Sequence, residues 1–323
     1  MPEKLLAILS DGGLHSGESL GNQLTLSRAA IWKQIQQLRT MDLHIESVPA
    51  KGYRIEGGLN LLQASRIVQG CEQEIRNRIG ELEVFLKIDS TNSHLMGRTA
   101  RNVDQIDVCF SEYQSAGRGR RGRQWVSPLA SNLYFSIGVH FNSGLTGLDG
   151  LSLVVGVAIV RALKKLEVER LQLKWPNDVQ YKGKKLSGVL VEMKGEADGP
   201  CYCVIGIGVN VNMPSSAHEA IDQPWTDLIN GASMRVERNQ LAATLLNEII
   251  PALDLFERQG LSPFVDDWHQ HDACLGQRIQ LVQPHQTVSG IGRGIHADGS
   301  LLLEVDGALS QYRFGEVSVR IAS

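Results

Sequence analysis

The chain has 323 residues, 42% of them hydrophobic and 21% charged, with a mean hydropathy of −0.12. At roughly 100–200 residues per domain this length exceeds a single small core, and the balance excludes a disordered or fibrous protein. Thirty-two Lys and Arg against 35 Asp and Glu leave a net charge of −3, so no global positive field draws the molecule to polyanions and any such site must be local.

The longest nearly continuous apolar run, Leu151 to Val160, is half a membrane span, and Leu5 to Leu9 is too short for a signal segment. These features predict a cytoplasmic protein with no membrane partner. Five cysteines without a CxxC are expected to be reduced, with Cys201 and Cys203 on one face of a strand.

Residues 1–60 predict a winged helical unit. A helix bearing Leu5, Ile8 and Leu9 stops at Gly12-Gly13. A short helix over 18–24 follows, then Ser27 as the N-cap of a helix with Ile31, Ile35 and Leu38 at i, i+4, i+7. Residues 43–48 and 53–55 form a hairpin about Pro49-Ala50-Lys51-Gly52, the wing. Between Glu18 and Asp42 there is no acid, while Arg28, Lys33 and Arg39 lie along the second helix. Ser27, Arg28, Lys33 and the wing's Lys51 are the candidate DNA contacts, with a protein-binding winged domain as the alternative.

Residues 61–270 predict an α+β domain. A helix capped by Asn60 comes first, then strands at 82–88, 107–112, 131–141, 171–175, 185–194 and 202–211, with helices near 148–167 and 238–258; this alternation implies one mixed sheet. Residues 271–323 follow as five short strands broken by Gly and Asp-Gly, at 277–283, 287–295, 300–305, 309–314 and 317–321, expected to form a small barrel.

The densest chemical segment is Ser115 to Trp125, with four arginines and three glycines. Its GxGxxG is not a dinucleotide fingerprint, because Val126-Ser127-Pro128 cannot open a long helix. It predicts a flexible lid of guanidiniums for phosphate or carboxylate. Asp89-Ser90-Thr91-Asn92 starts a helix with hydroxyls and an amide, and Gln114 ends a strand beside the loop. In Lys174-Trp175-Pro176-Asn177-Asp178 the last two residues are expected to make a turn, with Asp178 the candidate Mg²⁺ ligand. Lys182 to Gly188 reads as a hairpin turn, and the glycines of Gly206 to Asn210 as room for a ligand against the strand. No GxSxG, HExxH or P-loop occurs, and His269, His271, Asp272 and Cys274 are expected on an interdomain surface rather than on a metal.

Taken together, Ser90-Thr91-Asn92, the Gly117 to Arg123 loop, Lys174 to Asp178, Lys185-Leu186-Ser187-Gly188 and Gly206 to Asn210, in this order, resemble the bacterial biotin protein ligases. With Ser27-Arg28-Ala29-Ala30 and Gly52-Tyr53 in front, the chain resembles the bifunctional members that also act as repressors. The resemblance runs end to end. It implies a central domain like a class II synthetase and an SH3-like C-terminal barrel. It also implies ATP-dependent formation of biotinyl-5′-adenylate and transfer of biotin to a lysine of the biotin carboxyl carrier protein.

By the same resemblance Lys185 and Arg118 are catalytic. Ser90, Thr91, Asn92, Gln114, Gly117, Arg118, Arg120, Lys185 and Gly188 bind biotin. Arg120, Arg121, Arg123, Asn177, Asn210, Trp225 and Arg320 bind nucleotide. ATP, Mg²⁺ and biotin are the expected small molecules. Operator DNA and a second copy of the adenylate-loaded chain are the expected further partners. A sensor without ligase activity, or a lipoate-type ligase, are the competing readings.

Overall fold

In a computed structural model the described residues are 2–41, 43–98, 103–142, 144, 148–195, 199–215, 217–284, 286–313, 315 and 317–321. Asp42, which closes the acid-free stretch, and position 314, the expected end of one strand, lie outside them.

The N-terminal unit places three helices, α1 (Glu3–Leu9), α2 (Gly17–Leu24) and α3 (Arg28–Arg39), before the hairpin β1 (Glu46–Val48) and β2 (Gly52–Arg54). Ser16 caps α2 by accepting from Ser19 N at 3.0 Å, and Ser27 caps α3 by accepting from Ala30 N at 3.2 Å. Between these helices Thr25 turns the chain in the left-handed region. Leu5, Leu9, Leu20, Ile31, Ile35 and Leu38 bury the inner face. Gly52 is required at the wing: at φ +132° a Cβ there would lie 2.0 Å from His15 O.

The chain then runs through α4 (Ala64–Gly70), α5 (Gln73–Arg78), β3 (Ile79–Phe85), α6 (Thr91–Met96), β4 (Ile106–Ser111), β5 (Leu133–Phe141) and α7 (Leu151–Lys165). Next come β6 (Leu171–Lys174), β7 (Asp178–Tyr181), β8 (Lys184–Gly195), β9 (Cys201–Val209), α8 (Ala217–Ala220), α9 (Arg238–Gln259) and α10 (Val265–His271). The sheet is ordered β3-β4-β5-β9-β8-β7-β6, and only β3 and β4 are parallel, which makes it mixed as expected.

Three local expectations fail. Asn60 is not a cap, because α4 starts four residues later; its side chain instead accepts from Arg238 N at 2.9 Å and donates to Glu237 at 2.7 Å, binding the linker to α9. Asp178 opens strand β7 rather than sitting in a turn, and Lys184 to Ser187 belong to β8. The hairpin turn between them is Lys182-Gly183, both at positive φ. Helix α5 was not anticipated, since six residues with a single buried Ile75 carry too little periodicity.

Two-residue alternation sorts the sheet's faces. Phe135, Ile137, Val139, Ile205, Ile207 and Val189 join the large core with α7 and α9. Their neighbours Gly206, Gly208, Gly188 and Leu190 face the other way and line a cleft, with Ser136 and Glu192 on the same face. Cys201 and Cys203 share the core face, and all five cysteines are buried thiols.

The C-terminal unit is antiparallel, β10 (Arg278–Val282), β11 (Thr287–Ile295), β12 (Leu301–Val305), β13 (Ala308–Tyr312) and β14 (Ser318–Ile321), ordered β13-β12-β11-β10-β14. Ile279, Leu281, Leu301, Leu303 and Val319 merge with the central core, and the buried Trp175 donates its indole N–H to Gly299 O at 3.0 Å. His269 to Cys274 forms this junction but is half-buried rather than on the surface. Ile295 N donates to His269 Nε2 at 3.2 Å, and burial raises the Asp272 carboxyl above the ordinary range. Among the described residues no group of three or more potential ligands is placed to hold a metal.

Candidate functional site

The cleft on the glycine face has a volume of about 800 Å³. Ser90, Thr91, Asn92, Gln114, Arg118, Arg120, Arg121, Arg123, Asn177, Asp178, Lys185, Gly188, Asn210, Trp225 and Arg320 all line it. Gly117 does not. It is buried, and a Cβ there would meet Trp125 O at 2.5 Å and Ser127 Oγ at 2.9 Å, so glycine lets the loop pack against its own end and the neutral residues beside it. Ser27, Arg28, Lys33 and Lys51 belong to the N-terminal unit, on its recognition helix and wing.

One end of the cleft is a buried neutral network. Ser90 caps α6, Thr91 N donates to Gln114 Oε1 at 2.9 Å, and Gln114 Nε2 donates to Ser127 Oγ at 3.2 Å. Ser136 Oγ lies 2.7 Å from Thr91 Oγ1 and 2.6 Å from Asn92 Oδ1. Such fully connected donors and acceptors present a polar, uncharged ligand with preset partners. Ser136 was missed from sequence, although the lone serine inside Leu133 to Phe141 is a buried-polar signal.

The arginine loop is ordered. Arg118 and Gln124 form a bridge, Gly119 N donates to Arg123 O at 2.7 Å, and Trp125 N donates to Gly117 O at 2.9 Å. Arg121 turns at φ +60° and Gly122 at +71°. Arg120 donates to Asn177 Oδ1 at 3.1 Å and to Gly315 O at 2.8 Å, and Arg121 to Ser318 Oγ at 3.3 Å, which ties the loop to the C-terminal unit. Burial pushes the Arg120 pKa down, with Asp178 opposing and Arg121 adding to the shift. A half-dry cation of this kind favours an anionic ligand.

Lys185, its side chain 15% exposed, pairs through Nζ with Asp178 Oδ1 at 2.7 Å, and Nζ stands 5.3 Å from the centre of the Trp125 ring. The ring occupies the space that the sequence assigned to a ligand: a Cβ on Gly208 would lie 2.3 Å from it, and one on Gly206 would lie 2.1 Å from Asn92 Oδ1. The strand glycines therefore seat Trp125 and Asn92, and these two side chains in turn form the wall of the cleft.

The comparisons fit this geometry. Residues 84–210 match the Biotin/lipoate A/B protein ligase family, residues 3–54 an HTH domain and residues 274–320 the Biotin protein ligase C terminal domain. Over 322 residues, all of this chain and 98% of the relative, it is 40% identical to the bifunctional ligase/repressor BirA of Escherichia coli strain K12. The chain belongs to the bifunctional biotin protein ligase/repressor family. The biotin–[acetyl-CoA-carboxylase] ligase of Mycobacterium tuberculosis is 32% identical over 244 residues, 73% of this chain and 88% of the relative. The biotin protein ligase of Aquifex aeolicus, solved with biotin and ATP, superposes with a TM-score of 0.65 at 26% identity over 76% of this chain and all of its own. As a biotin protein ligase the chain combines the neutral network and the cation cluster in one cleft. Among the described residues no helix is long and apolar enough to cross a membrane.

Proposed function

We propose that the chain joins biotin to AMP at the expense of ATP, passes biotin to a lysine of the biotin carboxyl carrier protein, and, loaded with the adenylate, represses biotin biosynthesis genes in the cytoplasm. The observation that carries this reading is the convergence of Arg118, Arg120, Arg121, Arg123 and Lys185 on a cleft that ends in a buried, uncharged network. Ser90, Thr91, Asn92 and Gln114 take biotin's polar ring, and Gly188 leaves Lys185 room beside it. Gly117 shapes the loop that closes over the carboxylate. Asn177, Asn210, Trp225 and Arg320, with Arg120, Arg121 and Arg123, take the nucleotide.

In the first step a biotin carboxylate oxygen attacks the α-phosphorus and the bond to pyrophosphate breaks. Lys185 and Arg118 are catalytic because they stabilise charge that grows on these oxygens. In the second step the carrier's lysine attacks the acyl carbon and AMP leaves. The nucleophile comes from the partner, so no serine or cysteine nucleophile is needed; orientation supplies much of the rate. The arginine loop keeps water from the mixed anhydride in between.

Asp178 is a single carboxylate beside Asn177 and Gln180, a donor set that suits Mg²⁺, which takes one or two carboxylates and completes its shell with phosphates and water. Bound there, the ion would neutralise phosphate charge, and Lys185 would leave Asp178 for the reacting oxygens.

Dimerisation uses β8. Asn177 bonds the backbone of Val189, and residues 190–195 run past β7, which pairs only with residues 184–188, so their outer backbone edge has no strand partner among the described residues, and Met193 there is 41% exposed. Two copies joined at this edge would present two recognition helices to a two-fold operator, and the carrier protein would compete for the same edge. The test is biotin-dependent ATP/pyrophosphate exchange by the purified chain. Exchange with biotin and not with lipoate is the expected result; exchange with lipoate alone favours the lipoate-type reading, and no exchange with either favours the sensor.

A further inference from the structure

Helix α3 carries a side chain that the DNA-binding reading has not used. Trp32 is 57% exposed, the one aromatic among the large apolar side chains left open in the described residues. It stands one turn after Arg28 and next to Lys33, on the side of the helix away from Ile31, Ile35 and Leu38. Arg28, Ala29, Lys33 and Gln37 on that side are exposed as well. Leaving most of an indole in water is unfavourable, and in a helix that already has a complete buried face it contributes nothing to the unit's core.

The charges around it point to the occupant. Arg28 and Lys33 are on the same helix, and Lys51 is exposed on the wing turn. An acid at this face is Glu18 on α2, which meets Arg28 at 3.3 Å with both side chains more than 70% exposed. Such a pair is worth little in water and exchanges readily for a phosphate. An apolar surface set among cations fits a polyanion with apolar features, and duplex DNA offers one in its major groove, the thymine C5-methyl. The indole has no acceptor and a single N–H donor, so it cannot read the donor edges of cytosine or adenine. Flat apolar contact with a methyl group is what it does well.

Resting on the DNA-binding reading above, we propose that Trp32 is a specificity residue of the recognition helix, packing its ring on a thymine methyl in each half-site while Arg28, Lys33 and Lys51 hold the flanking phosphates.

The test uses the full chain with biotin and ATP. Duplexes are first selected from a randomised pool of about 40 base pairs, long enough for two half-sites. In the selected duplex each thymine is then replaced by uracil, which removes the methyl and nothing else. The expected result is one symmetry-related thymine pair at which uracil weakens wild-type binding three- to tenfold, while Trp32→Ala, weakened at thymine, is indifferent to the change, and Trp32→Phe keeps part of the discrimination. Circular dichroism of each variant confirms the fold. Uracil tolerated at every position, or Trp32→Ala as sensitive to uracil as wild type, overturns the inference and leaves DNA binding standing. Failure of the wild type to enrich any sequence overturns both. A lower mass for Trp32→Ala in sedimentation without DNA would show that the ring seats a second copy, and would overturn it too.

Discussion

The guanidinium of Arg118 rests on the carboxylate of Glu192, and Glu192 Oε2 also accepts from Asn92 Nδ2 at 2.8 Å. One acidic side chain on β8 thus links the arginine loop to the neutral end of the cleft. With Arg118 43% and Glu192 28% exposed, the pair is worth at most about 1 kcal/mol, little enough for an anionic ligand to take Arg118 away. Arg118→Gly removes the contact that would replace it. Adenylate should leave about 10- to 100-fold faster, the loss of one charge-assisted hydrogen bond of about 1.5–3 kcal/mol, and repression should weaken with it. Glu192→Gln, which stops competing for Arg118, should slow release. Isotope trapping of bound adenylate measures both, and unchanged retention in Arg118→Gly would count against the lid.

Lys185 is held between Asp178 and the Trp125 ring, so its ammonium already stands in the cleft, one partner exchange away from the reacting oxygens. Lys185→Ala should lower kcat for pyrophosphate exchange by about 10²–10³, the usual effect of removing one preorganised charge-stabilising donor, with a smaller change in KM for biotin. Lys185→Arg should recover part of kcat. Loss confined to KM would make Lys185 a binding group only.

Much of this site was legible because its motifs are local. Ser90 to Asn92 sit on one helix start, the arginines on one loop, and Lys174 to Asp178 on the turn from β6 to β7. What escaped depends on pairing across strands. Glu192 gives no signal as a site residue until the fold brings Asn92 and Arg118, 100 and 74 residues away in sequence, onto its carboxylate. Gly206 and Gly208 were recognised as sites of close approach, but what approaches them comes from residues about 80 to 110 positions away in sequence. Asn60 has a side chain suited to capping, and a tertiary partner, Arg238, took it.

Gly208 provides a check on that assignment. Trp125's ring lies where a methyl would be, so Gly208→Ala must push the indole toward the cleft. The expected outcome is overpacking worth about 1–3 kcal/mol, seen as a lower Tm, together with weaker biotin binding by calorimetry. If biotin bound against the strand with Trp125 elsewhere, affinity would fall without the loss of stability in the free protein.

Arg238 and Glu112, each 4% exposed, pair at 2.8 Å beneath the joint between the N-terminal unit and the ligase domain. Glu112 also accepts from Leu62 N at 2.6 Å, and Arg238 donates to Asn60 O and Asn132 O. Glu112→Gln leaves a buried guanidinium without its counter-charge, at a cost of about 3–5 kcal/mol. Replacing both residues with apolar ones of similar size should cost less. Urea unfolding followed by circular dichroism compares the variants, and equal losses would mean that packing rather than charge holds the joint.

Arg28 opens α3, where its guanidinium is mostly exposed and its partner Glu18 is on α2. None of the cleft-lining residues lies on this helix. Arg28→Ala therefore separates the two activities: carrier labelling should proceed at the wild-type rate while operator binding weakens. If the contact is to phosphate, the loss should be similar for all duplexes, and the slope of log affinity against log salt should become shallower by about 0.9 per contact removed from each protomer. If it is to a guanine edge, the loss should instead be confined to duplexes carrying that base, at about 1–3 kcal/mol. Gel shifts at several salt concentrations beside the labelling assay distinguish these outcomes. Undiminished DNA binding would move recognition off this helix altogether.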